Sequence, residues 1–507
     1  MTQELELRPF QAAAIQSLRV GLKESYLRQM LYSPTGSGKT VMATGLVKGA
    51  RLKGKRVAFL VNRVQLVEQT SATFRRYGIS HGVIQGENTR REYEHVLVCS
   101  IQTVAKRGLP DVDFIVIDEA HAVAGSKDYR GIIETFAGKP VIGLSASPFS
   151  KGLGKHYDSL KGPLFERMVI AASIGELIED GYLVDCDIYA PSEPDMTGIK
   201  QVRNKFGELD WSDMDVGNAA DKPELIGDIV SHWFKHAKNT PTVVFASNIA
   251  HSKHIVEQFC AAGIKAEHLD CYDDTEERRA ILKRFENRET MIVSNSALLA
   301  EGWDAPFCET LILARPTKSL IRYLQMVGRV LRPYDGKERA LVLDHSGTVK
   351  LLGFPTDDLP LELDDGKPRS SQKQKKDGES EVPLPKACPS CSFMKPPRAH
   401  ECPRCGFAPE KRSDVVHGEG ELALVTKSKK APKMEKQAFY SQLLAICAQK
   451  GYSEGWAAHA YREYFTVWPK GLEKTAMEPT AEMTNWIKSR NIRNAKRREK
   501  ESERAAA

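Results

Sequence analysis

The chain has 507 residues, 41% of them hydrophobic and 27% charged, and a formal net charge of +7. These values are typical of ordinary globular proteins; the length predicts three to four domains, and the mild basic excess is compatible with a polyanionic partner without identifying one. No apolar run approaches 20 residues, and the N-terminus lacks a basic segment followed by an apolar one, so neither a membrane span nor a secretory signal is expected.

Short apolar runs alternate with helical patterns through about the first 350 residues. The runs are continuously apolar, as expected for parallel strands that helices cover on both faces. They occupy residues 56–61, 96–100, 114–118 and 141–145 in a first series, and residues 242–246, 290–294, 310–314 and 340–344 in a second. Two such series predict two doubly wound α/β domains. Residues 185–222 lack a clear period and predict an irregular excursion around the start of the second domain.

A glycine-rich segment, SPTGSGKT at residues 33–40, follows a short apolar stretch and precedes a helical pattern. Strand, glycine-rich turn and helix form the context in which backbone N–H groups and a helix N-terminus bind phosphate. Lys39 would contact the β- and γ-phosphates of ATP, and the Thr40 hydroxyl would be a ligand of Mg²⁺. The residues assigned to phosphate binding are Thr35, Gly36, Ser37, Gly38, Lys39 and Thr40. Because Ser33 stands where the strict pattern has glycine, an ordinary helix N-terminus is the alternative.

The apolar run at residues 114–118 ends in Asp118 and is followed by Glu119, Ala120 and His121. Carboxylates at the C-terminal end of a parallel strand lie where α/β sheets bind ligands. Asp118 would hold Mg²⁺ through its water shell, and Glu119 would orient and activate the water that attacks ATP. A strand that ends in solvated acids is the alternative interpretation.

Four of the ten cysteines form two CxxC pairs, Cys388 with Cys391 and Cys402 with Cys405. Each pair turns tightly enough to place two thiolates on one ion, so the spacing predicts a closed tetrahedral zinc site in a zinc ribbon. Disulfides and an iron–sulfur cluster are the alternatives. The six other cysteines are scattered singly, which is typical of a protein in a reducing compartment.

Composition divides the end of the chain into further segments. Residues 353–386 are polar and rich in glycine and proline, which predicts a flexible linker, and the zinc ribbon occupies residues 387–410. Residues 411–507 include an aromatic-rich helical pattern at 437–468 and end in a basic tail. The helical pattern predicts a small core, with protein docking or base stacking as alternatives, and the tail is either solvated or in contact with phosphates.

Taken in order, the motifs of residues 5–350 resemble those of superfamily 2 helicases of the DEAD/DEAH type. Residues 33–40 resemble motif I, and residues 118–121 resemble motif II. The other matching segments are residues 7–11 for adenine recognition, 62–66 and 100–103 for nucleic-acid backbone contacts, 145–147 for motif III, 245–247 for motif IV, 300–306 for motif V and 325–332 for motif VI. The resemblance implies two tandem RecA-like domains, a helicase ATP-binding domain at residues 1–165 and a helicase C-terminal domain at residues 166–352.

The resemblance also implies nucleotide contacts outside the phosphate loop. Gln11, with Arg8 in the same segment, would recognise the adenine base. Asp304 would lie near the ATP ribose, and Glu301 of the same motif would also contact the nucleotide. An aspartate that caps a helix in a turn is the alternative interpretation of Asp304.

Motif VI would bring catalytic groups from the second domain. Gln325, Arg329 and Arg332 are its polar members, and the two arginines, three residues apart, would project from one face of a helix. As arginine fingers they would complete the ATP site when the two domains close. A solvated pair of surface arginines is the alternative.

A two-domain motor followed by a four-cysteine module is most similar to the bacterial RadD group and its phage-borne relatives. GWDAP at residues 302–306 and RPT at residues 315–317 match that group. The resemblance implies a role in DNA repair and a link to single-stranded-DNA-binding protein or replication proteins. The chain departs from the group in its single short zinc ribbon and its helical C-terminal segment, so partners specific to RadD do not follow.

We therefore expect an ATP- and Mg²⁺-dependent DNA helicase or translocase that acts in repair, recombination or replication on single-stranded or branched DNA. Its expected location is the cytoplasm of a bacterial cell or a phage-infected host. An RNA helicase fits less well with Asp-Glu-Ala-His at residues 118–121 and with the zinc ribbon. A restriction motor subunit is a second alternative, although the sequence has no nuclease-like signature. A non-catalytic ATP-gated scaffold, the third, would require a broken site, whereas Lys39, Glu119, Arg329 and Arg332 are all present.

Overall fold

A computed structural model describes residues 3–204, 208–237, 239–270, 272–300, 302–357, 359, 362–367, 384–397, 399–408, 433–465, 467–488 and 490–491. The chain divides into two compact units, residues 1–410 and 411–507. Glu301, most of the predicted linker and the basic tail beyond residue 491 lie outside the described residues.

The first sheet has eight strands, and its helices follow the strands in alternation. Its elements are α1 (Pro9–Lys23), β1 (Arg28–Tyr32), α2 (Lys39–Arg51), β2 (Val57–Val61), α3 (Val64–Arg76), β3 (Gly82–Gln85), β4 (Asn88–Arg90), β5 (Val96–Ser100), α4 (Ile101–Arg107), β6 (Phe114–Ile117), α5 (Lys127–Thr135), β7 (Val141–Ser145), the hairpin β8 (His156–Tyr157) and β9 (Gly162–Pro163), and β10 (Arg167–Ile170). The strand order is β10-β1-β7-β6-β2-β5-β3-β4, and every neighbouring pair is parallel except β3 with β4. The sheet ends with β10, past the boundary predicted at residue 165.

The second sheet has six strands, all parallel to their neighbours. The elements of this part of the chain are α6 (Ile174–Glu179), β11 (Cys186–Tyr189), β12 (Gln201–Arg203), β13 (Leu209–Trp211), α7 (Asp213–Ala220), α8 (Pro223–His236), β14 (Thr242–Ala246), α9 (Ile249–Ala261), β15 (Ala266–Leu269), α10 (Thr275–Glu286), β16 (Ile292–Asn295), β17 (Thr310–Ala314), α11 (Leu320–Val327), β18 (Ala340–Asp344), α12 (Thr348–Leu352), β19 (Lys386–Ala387) and β20 (Met394–Lys395). The sheet order is β11-β18-β17-β14-β16-β15. The predicted α/β fold with two parallel sheets is confirmed.

Burial explains why the apolar runs form strands at these positions. In β2, Ala58 and Leu60 contribute to the core on one face of the first sheet, while Val57, Phe59 and Val61 contribute to the core on the other. Successive side chains of a strand point to opposite faces, so a strand with helices on both sides needs apolar residues at every position. The continuous runs in the sequence therefore located the central strands.

The region at residues 185–222 is more ordered than its sequence pattern predicts. It contains the edge strand β11, an antiparallel hairpin formed by β12 and β13, and the helix α7. The exposed residues of β12 give no apolar alternation. The interpretation of this region as irregular is therefore wrong, because the hairpin depends on contacts with distant residues that a local pattern does not reveal.

The short β19–β20 hairpin packs beside the edge strand β11. Phe393 forms an antiparallel bridge with Tyr189, and the two rings lie 5.4 Å apart. The Ala190 N–H donates to the Ser392 carbonyl at 2.9 Å. The cysteine-containing segment thus covers an edge whose backbone groups would otherwise be open to pairing.

A segment that follows the second sheet returns to the first domain. The Gly154 N–H donates to the Asp364 carbonyl at 2.8 Å, and the Gly152 N–H donates to the Asp364 carboxylate at 2.8 Å. Leu363 packs against the core on one face of the first sheet. Leu363 and Asp364 lie within the predicted linker at 353–386. They attach this segment to the first domain at Gly152 and Gly154, shortly after residues 145–147.

The C-terminal unit is helical, as its sequence pattern predicts. It contains α13 (Lys433–Lys450), α14 (Glu454–Phe465) and a further helical stretch at residues 481–488. Phe439 lies at the centre of an aromatic cluster whose other rings belong to Tyr461, Tyr464, Phe465 and Trp486. Across the described part of the chain, no helix is long and apolar enough to cross a lipid bilayer.

Trp233 offers a test of the core of the second domain. Its side chain is fully buried, its indole N–H donates to Thr242 Oγ1 at 2.7 Å, and its ring lies 5.6 Å from that of Phe259. We expect Trp233→Ala to lower the free energy of unfolding by about 3–5 kcal/mol, because it leaves a cavity and removes the hydrogen bond from the indole to Thr242. Denaturation of the full chain by urea measures this change. The neighbouring Phe234 is half-exposed, so Phe234→Ala should cost far less, and equal losses would contradict the account.

Candidate functional site

The phosphate loop connects β1 to α2. Gly36 and Gly38 adopt φ values of 87° and 86°, which side chains other than glycine rarely tolerate. Ser33, in place of the glycine of the strict pattern, is buried; its N–H donates to the Ser145 carbonyl at 3.0 Å, and its hydroxyl lies 2.5 Å from Ser37 Oγ. The Ser33 backbone therefore connects the loop to β7, and its hydroxyl links the two ends of the loop through Ser37.

Gln11 holds the phosphate loop from α1. Its Nε2 donates to the Ser37 carbonyl at 2.8 Å, and its Oε1 accepts from the Arg8 N–H at 3.0 Å. A Cβ on Gly38 would lie 2.6 Å from this Nε2, so glycine is required for the close approach. The Arg8 guanidinium lies 4.3 Å from the centre of the Tyr182 ring. The segment predicted to recognise adenine thus lies directly beside the phosphate loop.

Two acidic residues follow β6 at the same edge of the sheet. Glu119 Oε1 lies 3.3 Å from Lys39 Nζ, and Glu119 Oε2 lies 3.3 Å from His121 Nδ1. The same His121 nitrogen lies 3.1 Å from the hydroxyl of Ser145. Glu119 has a left-handed backbone, with φ 48°, and its N–H bonds to the Asp118 carboxylate at 3.0 Å. This conformation is strained for a residue with a side chain, and such strain is typical of functional sites.

The electrostatics of the two acids differ. Burial and the neighbouring Glu119 charge raise the pKa of Asp118. Burial also acts to raise the pKa of Glu119, but Lys39, His121 and Arg329 outweigh it and hold that pKa below its ordinary value. Glu119 is therefore ionised at neutral pH, as a base must be, and a cation beside Asp118 would favour its ionised form.

The predicted magnesium ligands lie on the two elements that meet here. Thr40 is exposed in the first turn of α2, and Asp118 directly follows β6. Hydroxyl and carboxylate oxygens are hard donors of the kind Mg²⁺ takes, together with waters and substrate phosphates. The donor set fits Mg²⁺.

The second domain touches the phosphate loop through motif VI. A Cβ on Gly328 would lie 2.5 Å from the Thr35 Cβ, so the two backbones meet closely at this glycine. Arg332 lies beside Gly36, with its Cγ 3.2 Å from the position that a Cβ there would take. The guanidinium of Arg332 pairs with the carboxylate of Asp304. Gly328 and Arg332 of motif VI therefore lie against the phosphate loop.

The spacing of Arg329 and Arg332 predicts that they project from one face of a helix. This prediction is wrong, because neither residue lies in a helix. Helix α11 ends at Val327, and Arg329 and Arg332 follow it in a turn. Arg329 is mostly buried and donates to the carbonyls of Ala300 and Trp303 in motif V. Gly328, the residue directly after the helix, packs against Thr35 of the phosphate loop, where a side chain in place of the glycine would clash.

The remaining predicted site residues of the second domain belong to motifs V and VI. Gln325 is buried in the last turn of α11, and Asp304 is largely exposed apart from its pair with Arg332. Glu301 lies outside the described residues. A contact that no motif signalled also joins the domains: Gln69 of α3 donates to the Gly302 carbonyl at 2.7 Å.

The four clustered cysteines converge as their spacing predicts. The sulfur atoms of Cys388, Cys391, Cys402 and Cys405 all lie within 4.8 Å of one another. Two of the separations, Cys388 to Cys405 and Cys391 to Cys402, are 3.8 Å. Four thiolates bound tetrahedrally at about 2.3 Å from one ion lie roughly 3.8 Å apart, whereas a disulfide would need about 2.0 Å. The set fits a tetrahedral metal such as zinc.

Two family models match the chain. Residues 4–150 match the model described as type III restriction enzyme, res subunit, and residues 221–334 match the helicase conserved C-terminal domain. The first match includes the phosphate loop and the acidic pair, and the second includes α11 and the arginines after it.

Several sequence relatives cover about two thirds or more of the chain. A 51.5 kDa protein of a Lactococcus phage is 29% identical over 402 residues, which cover 79% of this chain and 83% of the phage protein. IRC3 of Saccharomyces cerevisiae, named as a candidate ATP-dependent helicase, is 28% identical, with 71% of this chain and 55% of the yeast protein covered. The DNA 3'-5' translocase XPB2 of Sulfurisphaera tokodaii is 24% identical and covers 68% of this chain. The chain thus spans about half the length of the yeast relative.

A solved structure has the same fold. A fragment of an HsdR-type subunit of a type I restriction enzyme from Vibrio vulnificus superimposes with a TM-score of 0.53 at 22% sequence identity. The similarity covers 71% of this chain and 67% of that one.

The metal assignment can be tested directly. We expect the purified chain to carry one equivalent of zinc by elemental analysis, and Cys391→Ser or Cys402→Ser to lower it at least tenfold because three thiolates bind more weakly than four. Cys260 is exposed and remote in sequence from the cluster, so Cys260→Ser should retain the metal. Iron in place of zinc, or full zinc content in both cluster variants, would contradict the assignment.

Proposed function

Given that the matched domains and their relatives support an ATP-dependent nucleic-acid motor of superfamily 2, we propose that this chain couples ATP hydrolysis to movement on DNA in repair, recombination or replication. The observation that carries the proposal is the contact of the second domain with the phosphate loop, at Gly328 and Thr35. A site that two domains complete links each hydrolysis event to opening and closing of the cleft between them.

In the proposed reaction, groups of the first domain bind ATP and activate water. Lys39, which lies 3.3 Å from Glu119, would exchange this carboxylate for the β- and γ-phosphates. Glu119 would then be free to orient the attacking water and accept its proton. Thr40 and Asp118 would hold Mg²⁺, which supplies charge neutralisation at the phosphates when bound.

The second domain would stabilise the charge that develops during transfer. The positive charge of Arg329 helps to lower the pKa of Glu119, so it acts on the carboxylate that is the proposed base. Arg332 would exchange its present partner, Asp304, for a phosphate oxygen. Both arginines can act on the nucleotide only when the cleft between the domains is closed. Release of phosphate would remove the interactions that favour the closed cleft. The cycle would move the two domains relative to each other along a bound strand.

DNA is favoured over RNA as the partner. One relative, which covers 68% of this chain, is named as a DNA translocase, and the four-cysteine module and the Asp-Glu-Ala-His sequence point in the same direction. Single-stranded or branched DNA is the proposed form, because the motors this chain resembles track along a strand. A link to single-stranded-DNA-binding protein rests on the RadD resemblance alone.

The motor subunit of a restriction system is a second candidate. The model that matches residues 4–150 is described as the res subunit of a type III restriction enzyme. Such a subunit would act on duplex DNA and with partner subunits. Dependence of the ATPase on DNA form distinguishes the two candidates.

The decisive experiment measures ATP turnover with a panel of single-stranded DNA, forked DNA, duplex DNA and RNA. We expect single-stranded or forked DNA to stimulate turnover most. Lys39→Ala and Glu119→Gln should each reduce the stimulated rate by at least about 100-fold, since they remove a phosphate contact and the base. Glu119→Gln should still bind ATP, because Lys39 remains.

The controls make each failure informative. Stimulation by RNA alone would favour an RNA helicase, and stimulation by duplex DNA alone would favour the restriction motor. Unchanged turnover in either variant would remove the motor assignment, provided that circular dichroism shows the variants to be folded.

A further inference from the structure

Three acidic residues of the region at 185–222 surround the start of α11. Glu208 and Asp210 lie at the β12–β13 hairpin, and Asp213 is the first residue of α7. We refer to these three residues as the acidic clamp. Within the described part of the chain their hydrogen bonds and ion pairs go to residues outside the phosphate site, yet the helix that they hold carries the first residues of motif VI.

Asp210 is the centre of the clamp. The residue is 1% exposed, and its carboxylate accepts from the Thr317 hydroxyl at 2.8 Å, from the Lys318 N–H at 2.8 Å and from Arg322 at 3.1 Å. The Trp211 N–H donates to the same carboxylate at 2.9 Å, and a buried carboxylate that receives four donors, one of them charged, is strongly held. Asp210 therefore fixes both the loop before α11 and the first turn of that helix.

Asp213 holds two arginines that repel each other. Arg315 is mostly buried; it pairs with Asp213 at 2.5 Å and donates to the Ser296 carbonyl at 3.0 Å. Arg322 lies 3.3 Å from the same Asp213 carboxylate oxygen. Without the acids these like charges would push the loop and the helix apart. The clamp thus determines the position of the helix as well as its stability.

The clamp and the ATP site lie at opposite ends of one short helix. Ser319 caps the N-terminus of α11 by accepting from the Arg322 N–H, and its hydroxyl bonds to Glu208. Eight residues of helix span roughly 12 Å. Directly after them, Gly328 packs against Thr35 of the phosphate loop. A shift of the acidic clamp would therefore move α11 and, with it, Arg329 and Arg332 relative to the phosphate loop.

We propose that Asp210 is a positioning residue for ATP hydrolysis: through α11 it places Arg329 and Arg332 against the nucleotide held by the first domain. The inference rests on the proposed ATPase and deepens it. Asp210 would act only on the step that needs the second domain, since the phosphate loop, Lys39 and the magnesium ligands belong to the first domain. Its loss should lower turnover while leaving nucleotide binding intact.

The test compares Asp210→Asn with the unaltered chain. We expect kcat to fall about 10- to 100-fold, because small misplacements of catalytic groups have effects of this size. The affinity for a fluorescent ATP analogue should change less than about twofold. The affinity for ADP with aluminium fluoride, a mimic of the transferring phosphoryl group, should weaken by roughly the same factor as kcat, because the arginines act mainly in the transition state.

Two further variants separate positioning from folding. Arg322→Lys leaves the bonds from Asp210 to Thr317 and Lys318 in place, and it should produce the same pattern more weakly. Its effect should not add to that of Asp210→Asn, because the two residues share one interaction. Glu257→Gln, on the exposed surface of α9, is the matched control and should leave all three measurements unchanged.

The outcomes distinguish this inference from the proposed function. An unaltered kcat in Asp210→Asn would overturn the positioning role. So would a parallel loss of kcat, ATP-analogue affinity and thermal stability, which would indicate a structural role alone. No ATP turnover in the unaltered chain would instead sink the proposed ATPase itself.

Discussion

The close approach of Gly328 to Thr35 is the contact on which the rest of the site depends. It brings the second domain against the phosphate loop, with the Thr35 side chain packed directly on the glycine. Any larger residue at this position would hold the domains apart and would move Arg329 and Arg332 away from the acids of the first domain. Gly328 directly follows the last residue of α11 and precedes the two arginines, so this contact lies where the domain interface and the arginines meet.

Further contacts determine what must change when the cleft opens. Gln69 bonds to the Gly302 carbonyl across the cleft, and Arg332 is paired with Asp304 at its edge. The segment around Leu363 and Asp364 is different, because it carries the chain beyond the second sheet back onto the first domain. The Gln69 bond joins the two domains and would break as they separate, whereas the Arg332–Asp304 pair lies within the second domain and would not. We expect the segment at Leu363 and Asp364 to limit how far the domains separate.

The sequence predicted the central strands, the phosphate loop, the acidic pair and the cysteine cluster, because each depends on residues close together in the chain. It missed features that arise from distant contacts. The exposed strand β12 gives no apolar pattern, and the hairpin of β12 and β13 is held through Asp210, which accepts from Thr317 in a loop more than a hundred positions further along the chain. The bonds of Gln11 to the phosphate loop, and the turn that carries Arg329, likewise follow from packing between elements.

The central claim is that one ATP site is shared by two domains. Single-turnover hydrolysis of ATP already bound to Arg329→Ala tests it most directly, with nucleotide affinity measured in parallel. The account predicts that cleavage slows by roughly 1,000-fold, as for the loss of an arginine finger, while affinity changes only a few-fold. Cleavage at the rate of the unaltered chain would show that the first domain hydrolyses ATP alone and would contradict the account.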